Sequence, residues 1–289
     1  MNLSVMLFPF HARLSDGTIT SARMIKILRG ERITAIEPMM SWIEADPAKW
    51  SEFDRAARDG GMTYCCYDIG VNLVGENEKD RTTAVDLVER GVDFCRNELD
   101  CPIVMLAGSN ASENMTNDEG RKFYGETLAR CYERTRGSGV TLTIENFGVY
   151  PNFTAGAAHN LEVLETANYP GIMFAFDNGN FLLGDDEPTH AYGLLQDRTV
   201  HLHIKDFSLT DPDDKRSLPS PSGKRYVACP LGNGDGEVAE ILDLFSKSQY
   251  NGWISLEVHG SDDPLAAAVH GARFVWNEED SREYGSAQN

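Results

Sequence analysis

Val140-Thr-Leu-Thr-Ile-Glu145 is a short, largely β-branched run that ends in a carboxylate. Three runs of the same kind follow it: Ile172-Met-Phe-Ala-Phe-Asp177, Val200-His-Leu-His203 and Trp253-Ile-Ser-Leu-Glu257. An apolar run of this length reads as a buried strand, and its last residue is delivered at the strand tip. Four in succession predict neighbouring strands whose ends converge on one point. Three carboxylates and one imidazole make an oxygen-rich donor set suited to Mn²⁺, Mg²⁺ or Co²⁺, with Zn²⁺ also admissible. The expectation is one divalent metal ion held by Glu145, Asp177, His203 and Glu257, with the two glutamates doubling as acid and base.

Working outward, further strands are predicted to begin near Leu3, Ile33, Met62 and Pro102, and the four above begin near Val140, Ile172, Thr199 and Trp253. Stretches of helical period or composition lie between them, at about 47–59, 79–99, 117–135, 155–167, 189–196, 236–248 and 264–277. Strand alternating with helix is the pattern of parallel βα units. Eight units in 289 residues predict an α/β fold, a closed (β/α)₈ TIM barrel. No Pro/Gly/Ser-rich linker divides the chain. The expected organisation is a single catalytic domain over 1–277 and a loose polar C-terminal tail over 278–289.

Hydrophobic residues make up 41% of the chain and charged residues 25%, enough apolar material for a sizeable core. The net charge of −19 opposes binding to nucleic-acid phosphates or anionic membranes, and no basic stripe offsets it. No apolar run approaches the roughly 18 residues of a membrane span. The apolar start, Met1 to Phe10, has no basic leader and reads as a first strand. Six cysteines without a CxxC read as free thiols in a reducing cytosol, so a cytoplasmic protein is expected.

Other residues have two readings each. His201 lies two positions from His203 on the same side of the strand, so His203, nearer the tip, is favoured as the ligand and His201 as a layer residue below. Lys205 shares that face and either holds a substrate oxygen or pairs with a neighbouring carboxylate. Glu37 ends the second strand and either binds a substrate hydroxyl or is structural. Phe8, Phe10 and His11 on the first strand either wall the pocket or pack the core, and His259 either meets substrate or starts a helix. The polar segment 207–231 is a long loop expected over the mouth of the barrel. Its Lys215, Arg216, Lys224 and Arg225 either close on an anionic substrate group or neutralise Asp211, Asp213 and Asp214. The turn Gly232-Asn-Gly-Asp-Gly236 either presents N–H groups to phosphate or forms a tight helix entry.

Thr143-Ile-Glu145-Asn146, Phe176-Asp177-Asn-Gly-Asn180, His201-Leu-His203-Ile-Lys205-Asp206, Leu256-Glu257 and Pro230-Leu-Gly-Asn-Gly-Asp-Gly236 together resemble the sugar phosphate isomerase/epimerase family, with its xylose isomerase-like TIM barrel. The resemblance implies the same four metal ligands, with Glu145 and Glu257 exchanging a proton with the carbon beside a metal-bound carbonyl through an enediolate. Asn180 matches a position that is a substrate-contacting histidine in many members. Leu209 stands where the ketose epimerases carry a substrate-binding arginine. The implied partner is a small sugar or polyol-derived carbonyl compound, and dimers or tetramers are implied as assemblies. A sugar isomerase or epimerase is the leading expectation. A dehydratase on an inosose-like or dehydroshikimate-like substrate is the alternative. An AP endonuclease-like hydrolase, which needs more histidines than this chain's seven, and a silent binding barrel stand further off.

Overall fold

The computed structural model describes residues 1–286. Its strands in chain order are β1 Asn2–Met6, β2 Ala35–Glu37, β3 Thr63–Tyr64, β4 Tyr67–Gly70, β5 Ile103–Ala107, β6 Thr141–Glu145, β7 Met173–Asp177, β8 Thr199–Ile204, β9 Asp206–Leu209, β10 Leu218–Pro219, β11 Arg225–Cys229 and β12 Trp253–Leu256. Nine form one parallel sheet in the order β3-β2-β1-β12-β8-β7-β6-β5-β4. β3 and β4 are two pieces of a single strand, interrupted at Cys65 and Cys66. β2 pairs with β3, and Met39 bridges to Asp68 in β4, so the two ends of the sheet meet. The fold is the expected TIM barrel, with helices following the strands around the outside.

These runs form strands because both of their faces are covered, as a parallel barrel requires. Every residue of β2 is buried, and β6 and β7 are buried from their second residue onward. Outward residues such as Leu3, Val104, Ile144, Phe174 and Leu202 pack against the helices. The inner layer mixes small groups, Ala35, Cys65, Cys66 and Ala175, with the larger Met6, Ile103 and Met105. All six cysteines are free. The small inner residues leave room for the polar side chains at the strand tips above them.

The helices Pro47–Asp59 and Asn117–Thr135 have the bounds their sequences suggest. A reciprocal pair of bonds between Thr116 and Glu119 starts the second of them. Four α-helices carry no expectation from the sequence reading: Ser21–Gly30, His11–Ser15, Met40–Ala45 and Asn178–Leu183. The first is signalled in retrospect by Thr20, whose hydroxyl accepts from Arg23 N, and by buried Met24, Ile25 and Leu28.

Two expectations change. The segment 207–231 is not a structureless loop. Three short pieces of it, with Asp206, pair into an antiparallel sheet in the order β10-β11-β9, with Asp206 opposite Cys229 and Tyr226 opposite Leu209. The closing helix runs Pro264–Ser286, past the point where a loose tail was expected to start at 278. In that extension Ser281 Oγ donates to Asn277 O, four residues back, at 2.7 Å. Positions 287–289 of the expected tail lie outside the described residues. Among the described residues no helix is long and apolar enough to cross a membrane.

Candidate metal centre

Three adjacent strands and the tip of a fourth bring the expected donors together. Glu145 ends β6, Asp177 ends β7, His203 lies one residue before the end of β8, and Glu257 follows β12. The register sets Asp177 beside His203 and His203 beside Ser255. Ligand atoms of Glu145, Asp177, His203 and Glu257 all lie within 4.8 Å of one another, and all four residues are buried.

The hydrogen bonds show how each group is held. His203 Nδ1 lies 2.7 Å from Glu145 Oε1 and 3.9 Å from Glu257 Oε2. Lys205 Nζ sits between Asp177 Oδ2 at 2.7 Å and Glu257 Oε2 at 2.9 Å. Asn180 donates to Asp177 from its backbone N at 3.0 Å and from its side-chain amide at 2.9 Å. Asn146 brackets the Asp177 backbone, donating to its carbonyl at 2.8 Å and accepting from its N–H at 3.0 Å.

The charges are strongly interdependent. Burial disfavours the His203 imidazolium, but Glu37 and Glu145 outweigh it and hold the ring well above the usual histidine range. Burial, with the charges of Glu257 and Glu145, pushes Asp177 well above the ordinary carboxylate range against the pull of Lys205. Burial also acts to raise Glu257, but Lys205 and His203 bring it down to about 2. A carboxylate cluster with one member forced up lacks positive charge. A divalent cation would supply that charge, and the oxygen-rich donor set suits it. The residues fit an ion on these grounds.

The remaining expected residues divide. Asn180, Lys205 and His259 line a cleft of about 230 Å³ together with Glu145 and Glu257. Phe8 also lines it, while Phe10 is in the core. The other walls are mostly apolar, including Met6, Met39, Met105, Phe147 and Phe207. His259 is flanked by Phe8 and Phe207, with ring centroids at 6.2 Å and 6.3 Å, and burial lowers its pKa.

Glu37, His11, Arg216 and Arg225 do not line this cleft. Glu37 is fully buried and bonded to two histidines. His11 stacks on Trp42 at 4.6 Å, and burial takes its pKa down to about 4. Arg216 is 79% exposed and paired with Asp214, while Arg225 donates to Ser217 Oγ and O, both at 2.6 Å. These arginines organise their own segment, as its many acceptors dictate. The glycine-rich turn is likewise no open anion cradle. Asp206 already takes the N–H groups of Gly232, Gly234 and Gly236 at 2.9, 2.9 and 3.0 Å.

Asp68 is the residue that sequence reading missed. It is 2% exposed, lines the cleft, and is pushed well above the usual range by burial and by Glu37. Its signal was an acidic residue inside the apolar run Cys65-Cys-Tyr-Asp-Ile69.

Comparison with known proteins agrees with this architecture. Over 159 residues, 53% of this chain, the protein is 27% identical to an inosose dehydratase of Lacticaseibacillus casei. That match spans about half of the relative's own length, 51%. A putative hydroxypyruvate isomerase of Streptomyces coelicolor is 23% identical over 269 residues, covering 84% of this chain and 85% of that protein. The crystal structure of the IOLI protein with a binding zinc atom superposes with a TM-score of 0.72 at 13% identity, covering 96% of each chain. The family described as xylose isomerase-like TIM barrel matches residues 32–277, and with its fold and strand-tip cluster the chain belongs to that family.

Proposed function

We propose that this protein is a divalent-metal-dependent isomerase or epimerase that moves a proton on a small, uncharged hydroxy-carbonyl compound of the sugar or polyol class. The observation that carries this is that Glu257 follows β12 and Glu145 ends β6, strands that lie on opposite sides of β8 in the sheet, and that both line one cleft. A carbon seated between them has a carboxylate on each side, one to accept its proton and one to return it. Lys205 keeps Glu257 ionised and so ready to accept. Glu145, Asp177, His203 and Glu257 would hold the ion, which supplies Lewis acidity to a carbonyl when bound. Asn180 presents an amide at the cleft wall, and the apolar walls exclude water from the reacting carbon. Lys205 is the one cation lining the cleft among the described residues, and two carboxylates already occupy it. That favours a neutral substrate over a phosphorylated or carboxylated one.

A dehydratase on an inosose-like substrate is a second reading, and Asp68 favours it. Burial and the neighbouring Glu37 charge push this carboxyl toward its protonated form, and it lines the same cleft, where it could donate to a departing hydroxyl. Both readings begin with proton abstraction. NMR in D₂O with metal-loaded protein and a panel of ketoses and inososes tests them. Deuterium beside the carbonyl is expected, in an epimer or aldose–ketose pair for the first reading and in an enone for the second. Glu145→Gln should slow the exchange about 100-fold or more. Full exchange in that variant would refute the assignment.

A further inference from the structure

Beneath the proposed metal site lies a second layer of polar groups that the proton-transfer reading leaves unused. Glu37 is its centre. One carboxylate oxygen, Oε1, lies 2.8 Å from His203 Nε2, and the other, Oε2, lies 2.9 Å from His201 Nε2. All three side chains are completely buried. The two imidazole rings stand nearly perpendicular, 83°, with centroids 5.0 Å apart. Each ring therefore meets its own oxygen of the one carboxylate. His201 Nδ1 has no hydrogen-bond partner, so the Glu37 bond is what orients that ring.

We propose that Glu37 is a positioning residue: it holds His203 by Nε2, so that Nδ1 is the atom presented to the carboxylate cluster and to a cation bound there. This rests on the metal site proposed above. A carboxylate accepts only, so Nε2 of His203 is the donor and carries its hydrogen. The other nitrogen, 2.7 Å from Glu145 Oε1, faces the carboxylate cluster and is the one a bound cation would meet. Such a carboxylate behind a ligating histidine sets both the tautomer and the ring angle. His201 takes the second oxygen and keeps the carboxylate from rotating. In this arrangement the strand-2 carboxylate acts through His203 and never touches substrate.

A rival use of the same residues is a second ion. Glu37, His201 and Cys66 also bring ligand atoms within 4.8 Å of one another. Zinc titration of the full chain separates the possibilities, with ¹⁵N-imidazole NMR of the zinc-loaded wild type as a readout that needs no variant. The expected result is one zinc per chain, His203 Nδ1 ligated and Nε2 protonated and hydrogen-bonded. Glu37→Gln should still bind one zinc, about 10- to 100-fold more weakly. Ligation through Nε2 in the wild type would overturn the proposal. So would unchanged zinc affinity in Glu37→Gln, or a second zinc that this variant loses. If the wild type bound no zinc, the metal reading itself would fail and this proposal with it, an outcome distinct from one zinc held with equal affinity by both proteins.

Discussion

Lys205 shows most directly how single side chains set the state of this site. Its ammonium lies within 2.9 Å of both Asp177 and Glu257 and is 7% exposed. Burial works against the charge, yet the two carboxylates hold its pKa above the ordinary lysine value. Removing one partner of a buried ion pair leaves the other charge uncompensated, at a cost of about 3–5 kcal/mol. Lys205→Met should therefore destabilise the metal-free protein by that order in urea unfolding with EDTA present. A divalent ion should restore much of the loss, since it supplies the missing charge to the same oxygens. Equal stability of variant and wild type in EDTA would show that the ammonium does not neutralise the cluster. At this scale the sequence was informative where charge ended an apolar run, as at Glu145, Asp177 and Glu257. It was less so for Glu37, because alternation assigns a face of the strand and says nothing about depth. Glu37 pairs with Met6 on the shorter β2, and it lies under the site, not at its mouth.

Among the elements, the glycine-rich turn before the helix Val238–Lys247 gained its meaning only from the folded chain. Asp206 Oδ2 accepts from Gly232 N and Gly234 N, and Oδ1 accepts from Gly236 N and Phe207 N, the last at 3.0 Å. A Cβ on Gly234 would come within 2.4 Å of Asp206 Oδ1, so the glycines allow the backbone to wrap the carboxylate. This ties the start of β9 to the end of the β9–β11 sheet, whose Phe207 and Leu218 wall the cleft. Asp206→Asn would turn an amide donor toward backbone donors. The expected loss is about 1–3 kcal/mol, read by urea unfolding, with a larger drop in substrate affinity than in metal affinity. A variant as stable as wild type would show that this carboxylate is not what holds the turn. Nothing in the spacing of Gly232, Gly234 and Gly236 distinguishes an internal carboxylate from an external phosphate. Both need the same converging N–H groups, and only tertiary placement decides which one fills them. The β9–β11 sheet was hidden for a related reason: its strands are short, paired across 206–229, and separated by polar connections that hold Pro212, Ser217, Ser220, Pro221 and Ser222.

For the whole molecule, the buried cluster links pH, metal and stability, and the signs can be worked out group by group. His203 is raised, so its contribution is complete below the ordinary 6.5 and is lost as pH climbs through its higher folded value. Asp177 is also raised, so its contribution declines as pH rises above the ordinary 3.8. Glu257 is lowered, so its contribution is present above the ordinary 4.5 and is lost as pH falls toward about 2. The metal-free protein should thus lose stability as pH rises above 6.5. An ion reverses this trend, because its ligands must be deprotonated and affinity rises with pH. Free ion at 100 times its dissociation constant stabilises by about 2.7 kcal/mol, so the gain is largest where affinity is highest. Thermal melts from about pH 5 to about pH 9, with EDTA or with Mn²⁺, should show the two curves separating steadily toward alkaline pH. A constant gap across that range would mean that the ion is held by groups that do not titrate there. A cluster of His203, Asp177 and Glu257 could not produce that result, because each proton lost from His203 and Asp177 both weakens the empty barrel and frees a ligand.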